Sequence, residues 1–101
     1  MSSVEFSLAY TENAEDDLKL LAADKGKKAV KKAVVKSLKL MRANLKHPSL
    51  HTHKYDEMEG PNGEDVFESY AQNNTPGAYR IFWHYGPGKN KITILAITPH
   101  P

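Results

Sequence analysis

Three turns rich in Gly, Pro and Asn cut the second half of this chain into short segments, and that punctuation limits the fold more than any other feature. They read Gly60-Pro61-Asn62-Gly63, Asn73-Asn74-Thr75-Pro76-Gly77 and Gly86-Pro87-Gly88. Connections this short join neighbouring antiparallel strands, because a parallel crossover needs about a dozen residues or more. The segments around them, approximately Leu50 to Glu57, Asp65 to Gln72, Ala78 to Tyr85 and Lys91 to Thr98, are therefore expected to form a meander. The last two are rich in the aromatic and β-branched residues that suit a pleated, half-buried surface.

The first half has a different rhythm. Val4, Phe6, Leu8 and Tyr10 alternate with Glu5, Ser7, Ala9 and Thr11, which predicts a strand with one buried face. A short helix follows, capped by Thr11 or Asn13. Glu12, Glu15, Asp16 and Asp17 stand near its positive N-terminal end, and Ala14, Leu18, Leu21 and Ala22 face inward. It stops near Gly26. Val30, Val34, Leu38, Met41 and Leu45 then recur every three or four residues, predicting a second helix from about Lys27 to Leu45 that His47-Pro48 ends. The order β-α-α-β-β-β-β is an α+β arrangement, with two N-terminal helices packed on a mostly antiparallel, twisted sheet. At 101 residues the chain is expected to form a single domain, residues 1–101.

Charge is segregated along the chain. Ten of its fourteen Lys and Arg residues, and none of its twelve Asp and Glu, lie between Lys25 and Tyr55, although the formal net charge is only +2. Lys28, Lys31, Lys32, Lys39, Arg42 and Lys46 fall mostly away from the apolar stripe of the second helix, without acidic partners one turn away. Such a face attracts polyanions, which makes these residues candidate nucleic-acid contacts; a plain solvated face is the alternative. The absence of Cys excludes a disulfide framework, a zinc–thiolate site and a thiol nucleophile, so catalysis would fall to His, Lys, Arg, Tyr or carboxylates. No apolar run approaches membrane-spanning length and the N-terminus lacks a secretory pattern, so no membrane partner and a cytoplasmic location are expected.

Candidate chemistry clusters in the meander. Arg80 interrupts the apolar strand Tyr79-Arg80-Ile81-Phe82-Trp83, where a permanent guanidinium needs a partner or a ligand to offset desolvation. Glu68 on the preceding strand is the structural partner to expect. His51 and His53 share a strand face and read as surface histidines, phosphate ligands or a metal pair. A zinc site would need a third ligand from His84 or His100, which no spacing selects. His100 follows an apolar strand at a position that by itself predicts a disordered tail. Tyr79, Trp83 and Tyr85 share one strand parity, which reads as core, with base stacking as the alternative.

Taken together these residues resemble the RelE/ParE-like toxin superfamily. The carriers are the basic second helix ending in Leu45-Lys46-His47-Pro48, the segment Leu50-His51-Thr52-His53-Lys54, the strand Tyr79-Arg80-Ile81-Phe82-Trp83, and the closing apolar strand leading to His100. The resemblance spans Val4 to His100. It implies a RelE-like fold, cleavage of mRNA at the ribosome by attack of a 2′-hydroxyl on the adjacent phosphate, and a cognate antitoxin covering the basic cleft. It implies no metal and no cofactor. Residue by residue, it implies that Arg80 stabilises transition-state charge and that His100 is a general acid or base, with His53 and Lys54 as base and phosphate contact. Many active relatives carry a catalytic Glu in the loop before the second strand; here that place reads His47-Pro48-Ser49, and Glu68 is the candidate substitute. Pro99 and Pro101 flank His100 and either hold it or take it out of register. The enzyme reading needs a guanidinium and a terminal imidazole to converge beside the cationic helix. The alternative is a non-catalytic member of the fold that binds a protein target or nucleic acid.

Overall fold

The computed structural model describes residues 5–100, so Val4 and Pro101 lie outside the described residues. Its elements are β1 (Ser7–Tyr10), α1 (Glu12–Ala23), α2 (Lys28–Ala43), β2 (His53–Glu59), β3 (Asp65–Tyr70), β4 (Tyr79–Tyr85) and β5 (Lys91–Pro99), with 3₁₀ turns at Lys25–Lys27 and Pro48–Leu50. The strands form one sheet in the order β1-β5-β4-β3-β2. β2 to β5 are the expected antiparallel meander, and β1 joins it parallel to β5. Both helices pack on one face.

Two boundaries differ from the sequence reading for local reasons. α2 ends at Ala43, where Asn44 turns extended and its Oδ1 accepts the Lys46 N–H at 3.1 Å, and β2 starts only at His53, after Pro48 opens a 3₁₀ turn capped by the His47 side chain. His51 then takes a left-handed conformation at φ 47°, which keeps this stretch out of the sheet. In the β2–β3 turn, positive φ falls on Gly63 while its N–H bonds to the Gly60 carbonyl at 3.0 Å. The reversal is thus made around Pro61 with Gly63 as the left-handed residue, and not by Asn62-Gly63 as a two-residue turn.

Thr11 caps α1, accepting the Ala14 N–H at 3.1 Å. Polar side chains of the same region complete β5 where its pairing with β4 slips between Phe82 and Trp83. Thr11 Oγ1 and Asn13 Nδ2 donate to the Leu95 carbonyl at 3.0 and 3.1 Å, and Asp17 accepts the Ile97 N–H at 2.9 Å. A bulge that would leave buried backbone groups orphaned is therefore closed by the helix above it. Ala22, expected to face inward, is exposed; Ala14 and Leu21 are the buried residues of α1.

The main core lies between helices and sheet, with Val34, Leu38 and Met41 of α2 set against Ile81, Trp83, Ile92, Ile94 and Ile97. Trp83 is fully buried, and its indole N–H begins a directed chain. It donates to Ser69 Oγ at 2.9 Å, Ser69 meets Thr52 Oγ1 at 2.7 Å, and Thr52 donates to the Leu45 carbonyl at 3.3 Å. Since the Thr52 proton is used on Leu45, Ser69 must donate to Thr52, and all three side-chain groups are satisfied. Tyr79 joins this core, whereas Tyr85, on the same parity, stays 50% exposed. On the other face a smaller cluster of Val66, Phe82 and Ala96 is covered by Tyr55 and Met58 of β2, whose pairing with β3 is irregular between Lys54 and Glu59.

Candidate active site

Alternation along β4 sends Ile81 and Trp83 to the helices and Arg80, Phe82 and His84 to the opposite face. Arg80 is only 6% exposed. Its Nη1 donates to the carbonyls of Gln72 at 2.6 Å and Tyr79 at 3.3 Å, and its guanidinium carbon lies 3.5 Å from the ring centre of Tyr70, its register partner in β3. The stacked ring and the two carbonyls offset part of the cost of burying the charge. Arg80 Nε stands 3.9 Å from Glu68 Oε2, beyond hydrogen-bond reach, and among the described residues neither atom has a hydrogen-bond partner. Glu68 does point at Arg80.

The other oxygen of Glu68 is 2.7 Å from His53 Nε2, which its register position, directly opposite Glu68 on β2, allows. His53 Nδ1 is 2.8 Å from the His51 carbonyl. A carbonyl can only accept, so Nδ1 carries a proton, and the short Nε2 contact requires a second proton shared between imidazole and carboxylate. Cation, carboxylate and imidazole form one chain, with Arg80 and Glu68 buried and the His53 side chain 48% exposed. His51 and His53 both approach the Tyr70 ring, at centroid distances of 4.9 and 6.0 Å.

His100 is held in place by its backbone. Its N–H donates to the Ala78 carbonyl at 2.8 Å, one step beyond the Pro99–Tyr79 pair, so His100 extends the ladder where position alone predicted disorder. Thr98 pairs with Arg80, and two residues on, the same parity puts His100 on the Arg80 face. The guanidinium and the terminal imidazole therefore share one side of the sheet.

Other candidates lie elsewhere. Lys54 pairs with Phe67, on the side opposite His53, and its Nζ lies 3.6 Å from both Asp56 and Asp65. Lys28, Lys31, Lys32 and Lys39, joined by Lys36, line a groove of about 680 Å³ on the outer side of α2. Arg42 is 3.7 Å from Glu5, and Lys46 rims a separate pocket beyond the end of α2. The helix layer stands between the lysine groove and Arg80, so the cationic helix does not converge on the site. His84 is buried, 2.8 Å from the Tyr85 carbonyl and 3.9 Å from Glu64. Glu64 is held below the usual glutamate range, first by the Asn62 N–H and then by its own, with His84 adding a smaller attraction. Among the described residues no three His, Asp or Glu side chains group as a metal site. Tyr70 and Gln72 had no part in the sequence reading; the signal available was Tyr70 two residues from Glu68, hence on its face.

Two helices packed on one face of a five-stranded mixed sheet match the fold of solved RelE- and YoeB-type toxins. Neither family models nor curated proteins match the sequence. Solved structures do. A YoeB/ParE toxin from Agrobacterium tumefaciens superposes with a TM-score of 0.68 at 7% identity, covering 95% of this chain and 100% of its own. A chain of the Escherichia coli DinJ–YafQ toxin–antitoxin complex gives 0.65 at 10% identity, covering 96% and 94%. A chain of the archaeal RelE–RelB complex from Pyrococcus horikoshii gives 0.61 at 14%, covering 94% of each. At these identities the likeness is one of fold.

Proposed function

We propose that this chain is the toxin of a toxin–antitoxin pair, a metal-independent endoribonuclease that cuts mRNA at the ribosome in the cytoplasm and is silenced by a cognate antitoxin over the site. The observation that carries this reading is the His53–Glu68–Arg80 chain on the sheet face that also bears His100. Cleavage of this kind needs a base for the 2′-hydroxyl, cations beside the phosphorane and an acid for the leaving oxygen. His100 takes the 2′-proton. The 2′-oxygen bonds to the adjacent phosphorus as the bond from phosphorus to the 5′-oxygen breaks, and that oxygen receives the proton shared by His53 and Glu68. Arg80 stands behind the phosphate as fixed positive charge. The products are a 2′,3′-cyclic phosphate and a 5′-hydroxyl. Lys28, Lys31, Lys32 and Lys39, on the far side of the helix layer, hold folded RNA away from the cut. They contribute salt-sensitive affinity and nothing to the chemical step.

One observation favours a second reading, a non-catalytic member of the fold that binds protein or nucleic acid. Arg80 is buried, and its Nη1 is already occupied by backbone carbonyls. The test uses the exposed residues, whose replacement leaves the fold intact. His100→Ala and His53→Gln should each lower RNA cleavage about 10²–10⁴-fold with unchanged circular dichroism. If the wild-type protein cuts no RNA with or without ribosomes, the nuclease reading fails and the binding reading stands; if both variants cut at the wild-type rate, the assignment of the chemistry to His53 and His100 fails.

A further inference from the structure

We propose that the pocket beyond the C-terminal end of α2 is a second subsite for the same RNA strand. It would take one unpaired nucleotide, with the base stacked on Tyr85 and the phosphate against Lys46 and His47. This rests on the RNA-cleavage reading and adds where the strand runs beyond the scissile phosphate. The pocket holds about 380 Å³; Phe67 and Tyr85 line it, as do Lys46, His47 and His53.

Three features assign it to a nucleotide. Tyr85 is half exposed while the rest of β4 is buried, and its ring is braced edge-on by Trp83 at 5.0 Å and Phe67 at 5.5 Å, with Phe6 at 6.2 Å. A braced aromatic face kept partly in water can stack a base with little loss of side-chain freedom. The polar lining carries the Lys46 charge beside three histidines, with no Asp or Glu in the pocket wall. His47 Nδ1 accepts the Ser49 N–H at 3.2 Å, so a neutral ring carries its proton on Nε2, a donor suited to a phosphate oxygen. Finally, His53 lines this pocket and also contacts Glu68 in the active site, so a strand passing over the β2 edge meets both. An apolar peptide would match the rings but leave Lys46 and His47 unanswered.

The probe is a short, fluorescently labelled oligouridylate methylated at every 2′-oxygen, which binds without being cut, beside an abasic strand of equal length. Fluorescence anisotropy should give tighter binding of the base-bearing strand by wild-type protein. Tyr85→Ala should weaken it about tenfold, toward the abasic level, and Tyr85→Phe should retain it. Lys46→Glu should weaken both strands. In wild-type protein the amide resonances of Lys46, His47 and Tyr85 should shift with the base-bearing strand, a readout that does not depend on any variant folding. Unshifted resonances, or equal binding by folded Tyr85→Ala, overturn the subsite while leaving cleavage at His53 and His100 standing. Failure of wild-type protein to bind either strand also overturns the subsite, while RNA cleavage is decided separately by the assay with and without ribosomes.

Discussion

The two faces of the sheet are made by alternate residues of the same strands and follow opposite rules. Ile81 and Trp83 are sealed under the helices among apolar neighbours, and among the described residues no buried side-chain nitrogen or oxygen there lacks a partner, as the Trp83–Ser69–Thr52–Leu45 chain illustrates. One residue away, Arg80 and Glu68 are buried almost as deeply, yet their facing atoms stop at 3.9 Å without a hydrogen bond. Buried charges with incomplete partners cost stability, so this open contact weighs against the fold where the other face supports it. The contrast separates a face whose polar groups are closed from one that keeps an open ionic contact.

The largest test of that separation is Trp83→Ala. Losing the indole and its donor at the centre of the helix-covered face should cost about 3–5 kcal/mol, read from urea unfolding followed by circular dichroism. Next comes Glu68→Ala, which strips the carboxylate from between Arg80 and His53 and should cost about 3 kcal/mol. The double variant Glu68→Leu with Arg80→Met should recover most of that stability and cut no RNA. If it is as unstable as Glu68→Ala, the charges belong to the fold and the contrast between the faces breaks down.

The smallest effect belongs to Glu64 in the β2–β3 turn. Its carboxyl titrates lower in the folded protein than in the unfolded chain. The stability it contributes is therefore fully present at neutral pH and is lost as pH falls from the ordinary glutamate value through its own lower one. Glu64→Gln should flatten the acid limb of a melting-temperature profile slightly, with little change at neutral pH.

The meander was legible because Gly60-Pro61-Asn62-Gly63, Asn73 to Gly77 and Gly86-Pro87-Gly88 leave neighbouring strands no partner but each other. α2 was legible from Val30 to Leu45, but it ends two residues earlier because Asn44 turns extended and caps it. The site was legible in part. Arg80 stood out as a cation in an apolar strand, but Tyr70 and Gln72 gave no sign, because one contributes a ring face and the other a backbone carbonyl. Lys54, which the resemblance placed beside His53 as a phosphate contact, lies on the other side of the sheet, since neighbours on a strand point to opposite sides.

By itself, the order of residues determined the number and type of elements, the segregation of positive charge and the identity of the groups able to move protons, since all of these follow from local periodicity and side-chain chemistry. Only the tertiary structure decided that Glu68 faces Arg80, that His100 shares their face and that the lysine-rich helix lies behind it. Those relations depend on strand register and on which side of the sheet the helices cover, and both are set by long-range packing that local sequence does not encode.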